Sequence, residues 1–222
     1  MNTIKDIIIT YRWWLLLVCF ASQFFGIVNL LNIALSGTPE VNESNTYATS
    51  DMFLLFLITG VVVTYVIAEL RSVTIYLLPA STTCKYATAF GVIVFTIASC
   101  LLFSMAIELI GSFLTTGSPQ AASFAIGGYI KYVSEDTFAF SILAAIMGFE
   151  MNFATMIKNR SIVFGINLFL STCAWIFTLF FHTIGYSTIF YFVFWGLAII
   201  LTIASYQTYK RWEPANSGFL TI

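Results

Sequence analysis

Polar and apolar positions in this chain alternate in blocks rather than residue by residue. Six blocks, Trp13–Leu35, Met52–Leu70, Ala87–Thr115, Thr137–Ile157, Ile162–His182 and Thr188–Tyr206, stay apolar over about the 20 residues that carry a helix across a bilayer. Runs within them such as GVVVTYVIA (60–68) and FYFVFWGLAII (190–200) are apolar on every face, not at alternate positions as in a barrel strand. The bilayer core has no water to satisfy backbone N–H and C=O groups, so blocks of this kind must be helices. The pattern predicts an all-α, polytopic membrane protein, with residues 1–222 forming one domain of six transmembrane helices.

A different period precedes the first block. Ile4, Ile7, Ile8 and Tyr11 recur at helical spacing, while Asn2, Lys5, Asp6, Thr10 and Arg12 are polar. That spacing predicts an N-terminal amphipathic helix over 1–12 lying in the membrane interface, with a cytosolic extension of the first span as the alternative. The first block is expected to be retained as a span. Its apolar run exceeds the ~7–15 residues of a signal-peptide core, and no A-x-A-like cleavage site follows it.

Composition sharpens the reading. The 222 residues are 59% hydrophobic and 9% charged, whereas soluble domains are about 25% charged. So few charges cannot cover a water-facing surface, and the lipid bilayer is the expected surrounding. A net charge of −1 without a basic patch argues against nucleic acid as a partner.

Charge also orients the chain. With the N-terminus inside, Lys5, Arg12, Arg71, Lys85, Lys158, Arg160, Lys210 and Arg211 all fall in cytosolic segments, leaving only Lys131 of the nine Lys and Arg outside. The expected outer loops, Ser36–Asp51 and Thr116–Asp136, instead carry Glu40, Glu43, Asp51, Glu135 and Asp136. An excess of basic residues marks the cytoplasmic side, so both termini are expected there, including the segment 207–222. The expected location is the inner (cytoplasmic) cell membrane, crossed several times. Tyr11, Trp13 and Trp14 near one end, and Tyr206, Tyr209 and Trp212 near the other, fit an aromatic belt at that same face.

Catalytic patterns are missing from the sequence. It has no GxxxxGK[ST] phosphate loop, no HExxH and no CxxC spacing, and its one histidine, His182, has no second to share a metal. No GxSxG marks a nucleophile. No enzymatic activity, cofactor or metal is expected.

Two carboxylates stand out because a charge at the bilayer centre costs about 2.5–3.5 kcal/mol on insertion scales. Glu108 falls in the outer part of the third block and Glu150 in the inner part of the fourth. Either could line a polar pathway or relay protons. Either could also be a buried packing contact, and helical continuation would place Glu150 and Lys158 on one face two turns apart. Gln23, Asn29, Asn32 and Asn167 are expected to hydrogen-bond between helices. Pro39, Pro79, Pro119 and Pro214 all lie outside the blocks, so the broken helices that hold substrate in many secondary transporters are not signalled.

Between the second and third blocks lies TIYLLPASTTCKYATAF (74–90). Pro79 ends what precedes it, and Ser81 can cap a new helix that leads through Thr82, Thr83, Cys84, Lys85 and Tyr86 into the third block. An extended piece, a proline and a capped helix start would form a rigid feature on the cytosolic face. The bland reading is an ordinary loop that caps a helix.

This layout resembles the six-span membrane subunits of ABC exporters, which have an amphipathic elbow helix before the first span and a coupling helix between the second and third. Within it, Tyr76, Leu77, Leu78, Pro79, Ala80, Ser81 and Lys85 resemble the Y-L-L-P-A-S-x-x-E-K-F stretch of small permease-like membrane proteins from Bacteroidetes, with Tyr86 as the aromatic neighbour. Cys84 stands where that pattern has the acidic residue that would complete a capping box. The connection HTIGYS (182–187) is also too short for the outer re-entrant helices such exporters often carry.

The resemblance implies a permease subunit that exports a lipophilic substrate. It would pair with a second membrane subunit, alike or different, and with separate ATPase subunits. Residues 71–86 would be the coupling segment, with Leu77, Leu78, Pro79, Ala80, Ser81, Lys85 and Tyr86 docking the ATPase. The alternatives are a non-transporting membrane protein (an immunity, sensory or assembly partner) and a proton- or ion-coupled carrier using Glu108 or Glu150.

Overall fold

The computed structural model describes Ile27 and residues 44–70, 81–116, 137–184 and 188–217. The first predicted span and the amphipathic segment 1–12, apart from Ile27, lie outside the described residues. What is described consists of five helices, α1 (Ser44–Leu70), α2 (Thr82–Thr116), α3 (Thr137–Met156), α4 (Arg160–Ile184) and α5 (Thr188–Ser217). Each contains a stretch long and apolar enough to cross a membrane: Phe53–Leu70, Thr82–Gly111, Thr137–Met156, Arg160–Phe181 and Ile189–Arg211. The chain is therefore helical, membrane-embedded and multi-pass. No strand occurs among the described residues.

The helices are not equivalent. In α1 and α3, 61% of the apolar stretch is buried within the protein, against 33% in α2, 22% in α4 and 11% in α5. The central pair therefore carries the core, and the other three present an apolar side outward. Phe56, Val63 and Ile67 of α1, Ile93 of α2 and Ile142 and Met151 of α3 are fully buried. Phe95 and Leu102 of α2, Phe169 and Phe180 of α4, and Phe192 and Ile200 of α5 are exposed. In water such a surface would drive aggregation, whereas against acyl chains it is the expected one.

Two close approaches set the packing. A Cβ added at Gly148 of α3 would lie 2.8 Å from the Leu201 Cβ, so the glycine allows α3 and α5 to pack backbone to side-chain base. Nearby, Asn152 Nδ2 donates across to the Leu201 carbonyl (2.6 Å) and back to the Gly148 carbonyl (2.9 Å). The second approach is at Gly60 of α1, which faces α3 and α4 together. Small residues replace a hydrophobic driving force here, because lipid is as apolar as the helix faces themselves.

Element boundaries differ from the sequence reading at several points. Helix α1 begins at Ser44, inside the stretch read as outer loop, and α5 continues beyond Tyr206 to Ser217. Helix α2 begins at Thr82 and spans ~52 Å, well beyond a ~30 Å hydrocarbon core. Hydropathy marks where a helix becomes apolar, not where its hydrogen bonding starts. Helix α3 stops at Met156, so Lys158 is not on the helical face that Glu150 occupies. Residues 157–159 form the connection, and Asn159 Oδ1 accepts from the Ser161 and Ile162 amides to cap α4 (3.0 and 3.4 Å).

Cross-helix hydrogen bonds place one end of each helix together. Arg160 Nη2 donates to the Ala68 carbonyl (3.4 Å), joining the start of α4 to the end of α1. The Thr83 and Tyr206 hydroxyls lie 2.8 Å apart, joining the start of α2 to the C-terminal half of α5. Asn152, near the end of α3, completes the set through Leu201. Every described Lys and Arg, namely Lys85, Lys158, Arg160, Lys210 and Arg211, belongs to this end of the bundle.

Candidate functional site

Three helices bring polar side chains together in the apolar interior. Helix α1 supplies Gly60 and Thr64, α3 supplies Glu150, and α4 supplies Asn167 and Ser171. Thr64 follows Gly60 by four residues, and Ser171 follows Asn167 by four, so each pair shares one helix face. Glu150, Asn167 and Ser171 are all fully buried.

The bonding falls into two groups. Ser171 Oγ donates to Glu150 Oε1 (2.6 Å), Asn167 Nδ2 donates to Thr64 Oγ1 (2.9 Å), and the Thr64 hydroxyl donates to the Gly60 carbonyl (2.8 Å). Gly60 is where the two bonded pairs meet. A Cβ added there would stand 2.8 Å from Ser171 Oγ, 3.1 Å from Glu150 Oε1 and 3.2 Å from the Asn167 carbonyl oxygen. No larger residue fits without moving one of them.

Two acceptors in this cluster have no partner, Glu150 Oε2 and Asn167 Oδ1. A buried polar atom without a hydrogen bond costs about 1–3 kcal/mol, and more when charged. That cost persists in a native structure only where something else requires the group.

The other sequence-derived positions are distributed differently. Glu108 lies in α2, 23 residues after Lys85 and so about 35 Å along the helix from the basic end. Its side chain lies outside the described residues, as does that of His182. Glu150 is six residues, or about 9 Å, from the end of α3 at the basic end. The two carboxylates therefore sit in opposite halves of the bundle.

Of the docking residues, Leu77, Leu78, Pro79 and Ala80 lie outside the described residues. Ser81 does cap α2: its Oγ accepts from the Cys84 amide (3.3 Å), and its carbonyl accepts from the Lys85 amide (3.0 Å). Ser81, Thr83 and Cys84 are exposed, whereas Lys85 and Tyr86 are buried. The Tyr86 ring packs against Tyr206 and Tyr209 at centroid distances of 5.3 and 5.8 Å. Its hydroxyl meets Ser205 Oγ and donates to the Thr202 carbonyl (3.2 Å). The first turns of α2 are thus fastened to α5.

The interhelical role expected of Asn167 is present in its bond to Thr64. Reading the sequence missed Ser171 as the partner of Glu150, Thr64 as the partner of Asn167, and Gly60 as the point where they meet. The available signal was the i, i+4 spacing of small or polar residues within two otherwise apolar blocks. Among the described residues, no three His, Cys, Asp or Glu side chains gather as a metal site. No family model, curated protein or solved structure matches the chain.

Proposed function

We propose that this chain is the membrane-spanning permease subunit of an ABC-type exporter. In this reading it has six spans, an elbow helix over 1–12 and both termini in the cytoplasm, and it resides in the inner membrane. It moves a lipophilic substrate in partnership with a second membrane subunit and separately encoded ATPase subunits. What supports the reading, beyond the resemblance of residues 76–86, is the joint between α2 and α5. The Ser81-capped start of α2 is tied to α5 through Tyr86, Thr83, Ser205 and Tyr206, and α5 lies along α3 through Gly148 and Asn152. A displacement of Leu77–Ser81 by a closing ATPase dimer would pass into the packed bundle rather than dissipate in a loose loop.

The test is affinity purification of the full chain in mild detergent, beside a Pro79→Gly/Ser81→Ala double variant and Tyr86→Ala. The reading expects a stoichiometric ATPase that the double variant loses. Tyr86→Ala should keep that partner while its ATP hydrolysis no longer responds to the membrane subunit. A well-folded chain that captures no ATPase refutes the reading and favours a non-transporting membrane protein. A second reading, an ion-coupled carrier, draws on one observation: the fully buried Glu150 with an unpartnered oxygen.

A further inference from the structure

We propose that Glu150, Asn167, Thr64 and Ser171 form a binding site for a small monovalent cation, with sodium as the fitting ion. Both unpartnered atoms of the cluster, Glu150 Oε2 and Asn167 Oδ1, are acceptors in fully buried side chains. They are also the only buried side-chain nitrogen or oxygen atoms without a hydrogen bond among the described residues. Of the donors beside them, the Ser171 hydroxyl is used by Glu150 Oε1, one Asn167 Nδ2 hydrogen by Thr64, and the Thr64 hydroxyl by the Gly60 carbonyl. A cation bound there would satisfy both acceptors.

The donor set selects the ion. Carboxylate, amide and hydroxyl oxygens are hard ligands, and no thiol or imidazole takes part, which disfavours transition metals. One carboxylate balances one positive charge, whereas calcium sites usually gather several carboxylates. The ligands come from α1, α3 and α4, so a bound cation would clamp the two central helices to α4. Gly60 lets these three helices meet closely, since a Cβ there would stand 2.8 Å from Ser171 Oγ and 3.1 Å from Glu150 Oε1. The site is independent of the ATPase reading, since it depends on no partner chain.

The experiment uses the full chain purified in mild detergent and exchanged into choline chloride. Thermal unfolding is followed by tryptophan fluorescence while NaCl, LiCl or KCl replaces choline at constant ionic strength. Sodium should raise the midpoint by a few degrees and saturate, since a ligand at 100 times its Kd raises the folded-to-unfolded ratio about 100-fold. Potassium should act more weakly. Glu150→Gln should abolish the sodium-dependent shift while retaining an acceptor for Ser171.

A second measurement needs no variant. A hydrophobic carbodiimide should label Glu150 in the unaltered chain, as located by mass spectrometry, and sodium should slow that labelling severalfold at fixed pH. Equal melting in sodium and choline would overturn the site. So would a sodium shift that survives in Glu150→Gln, or labelling that ignores sodium. Sodium-indifferent results are expected if Asn167 turns its amide to donate to Glu150, or if a proton alone occupies the carboxyl.

Discussion

Replacing Gly60 by alanine tests the central packing of this protein at one methyl group. The added Cβ would sit 2.8 Å from Ser171 Oγ and 3.2 Å from the Asn167 carbonyl oxygen. Ser171 must withdraw by about 0.6 Å to restore ordinary van der Waals separation. It cannot do so and keep its 2.6 Å bond to Glu150. The backbone carbonyl of α4 is even less free to move. Overpacking of this kind costs ~1–3 kcal/mol, and an interhelical hydrogen bond in a membrane is worth ~0.6–2 kcal/mol. Against these, alanine gains ~0.5–1 kcal/mol over glycine in helix propensity. The net expectation is a loss of about 1–4 kcal/mol, read by SDS titration in mixed micelles with tryptophan fluorescence.

Gly165→Ala in α4 and Gly196→Ala in α5 are the matched controls, because a Cβ at either meets no atom within 4 Å. They should unfold at the wild-type SDS fraction or slightly above. If Gly60→Ala behaves like these controls, the convergence of α1, α3 and α4 at Gly60 is wrong.

Three further variants probe separate joints by the same titration. Gly148→Ala should destabilise through its 2.8 Å approach to the Leu201 Cβ, and Leu201→Gly should restore stability in the double variant by at least ~0.5 kcal/mol beyond additivity; strict additivity would refute the contact. Asn152→Leu removes the bond to the Leu201 carbonyl and should cost ~0.6–2 kcal/mol, with no loss expected only if α3 and α5 do not touch there. Tyr86→Phe keeps the rings against Tyr206 and Tyr209 but loses the hydroxyl contacts with Ser205 and Thr202, for ~0.5–1.5 kcal/mol; Tyr86→Ala should cost clearly more, and equal costs would mean that the ring packing contributes nothing.

Much of the architecture is a direct consequence of composition. A segment such as GVVVTYVIA, apolar all round, has one stable form in lipid, because only a helix satisfies its backbone without help. The same logic made Ser81 legible as a cap, since a serine after a proline and before a helical block can satisfy an otherwise orphaned amide. Boundaries were less legible. Ser44–Asp51 is polar enough to read as loop yet begins α1, and α3 ends at Met156, before the helical face expected to join Glu150 to Lys158 is complete.

Local sequence determined that this chain lives in a membrane as helices, and that Glu150 would be costly there. It could not say what Glu150 would meet. Ser171 is 21 residues away along the chain and Gly60 is 90, and their approach depends on how α1, α3 and α4 are rotated about their axes. In apolar spans that rotation leaves no hydrophobic periodicity in the sequence, because every face is already apolar. The choice falls to where backbones can approach most closely, at Gly60 and Gly148, and to which polar side chains can then be paired. Those are properties of pairs of helices, and only the tertiary structure decides them.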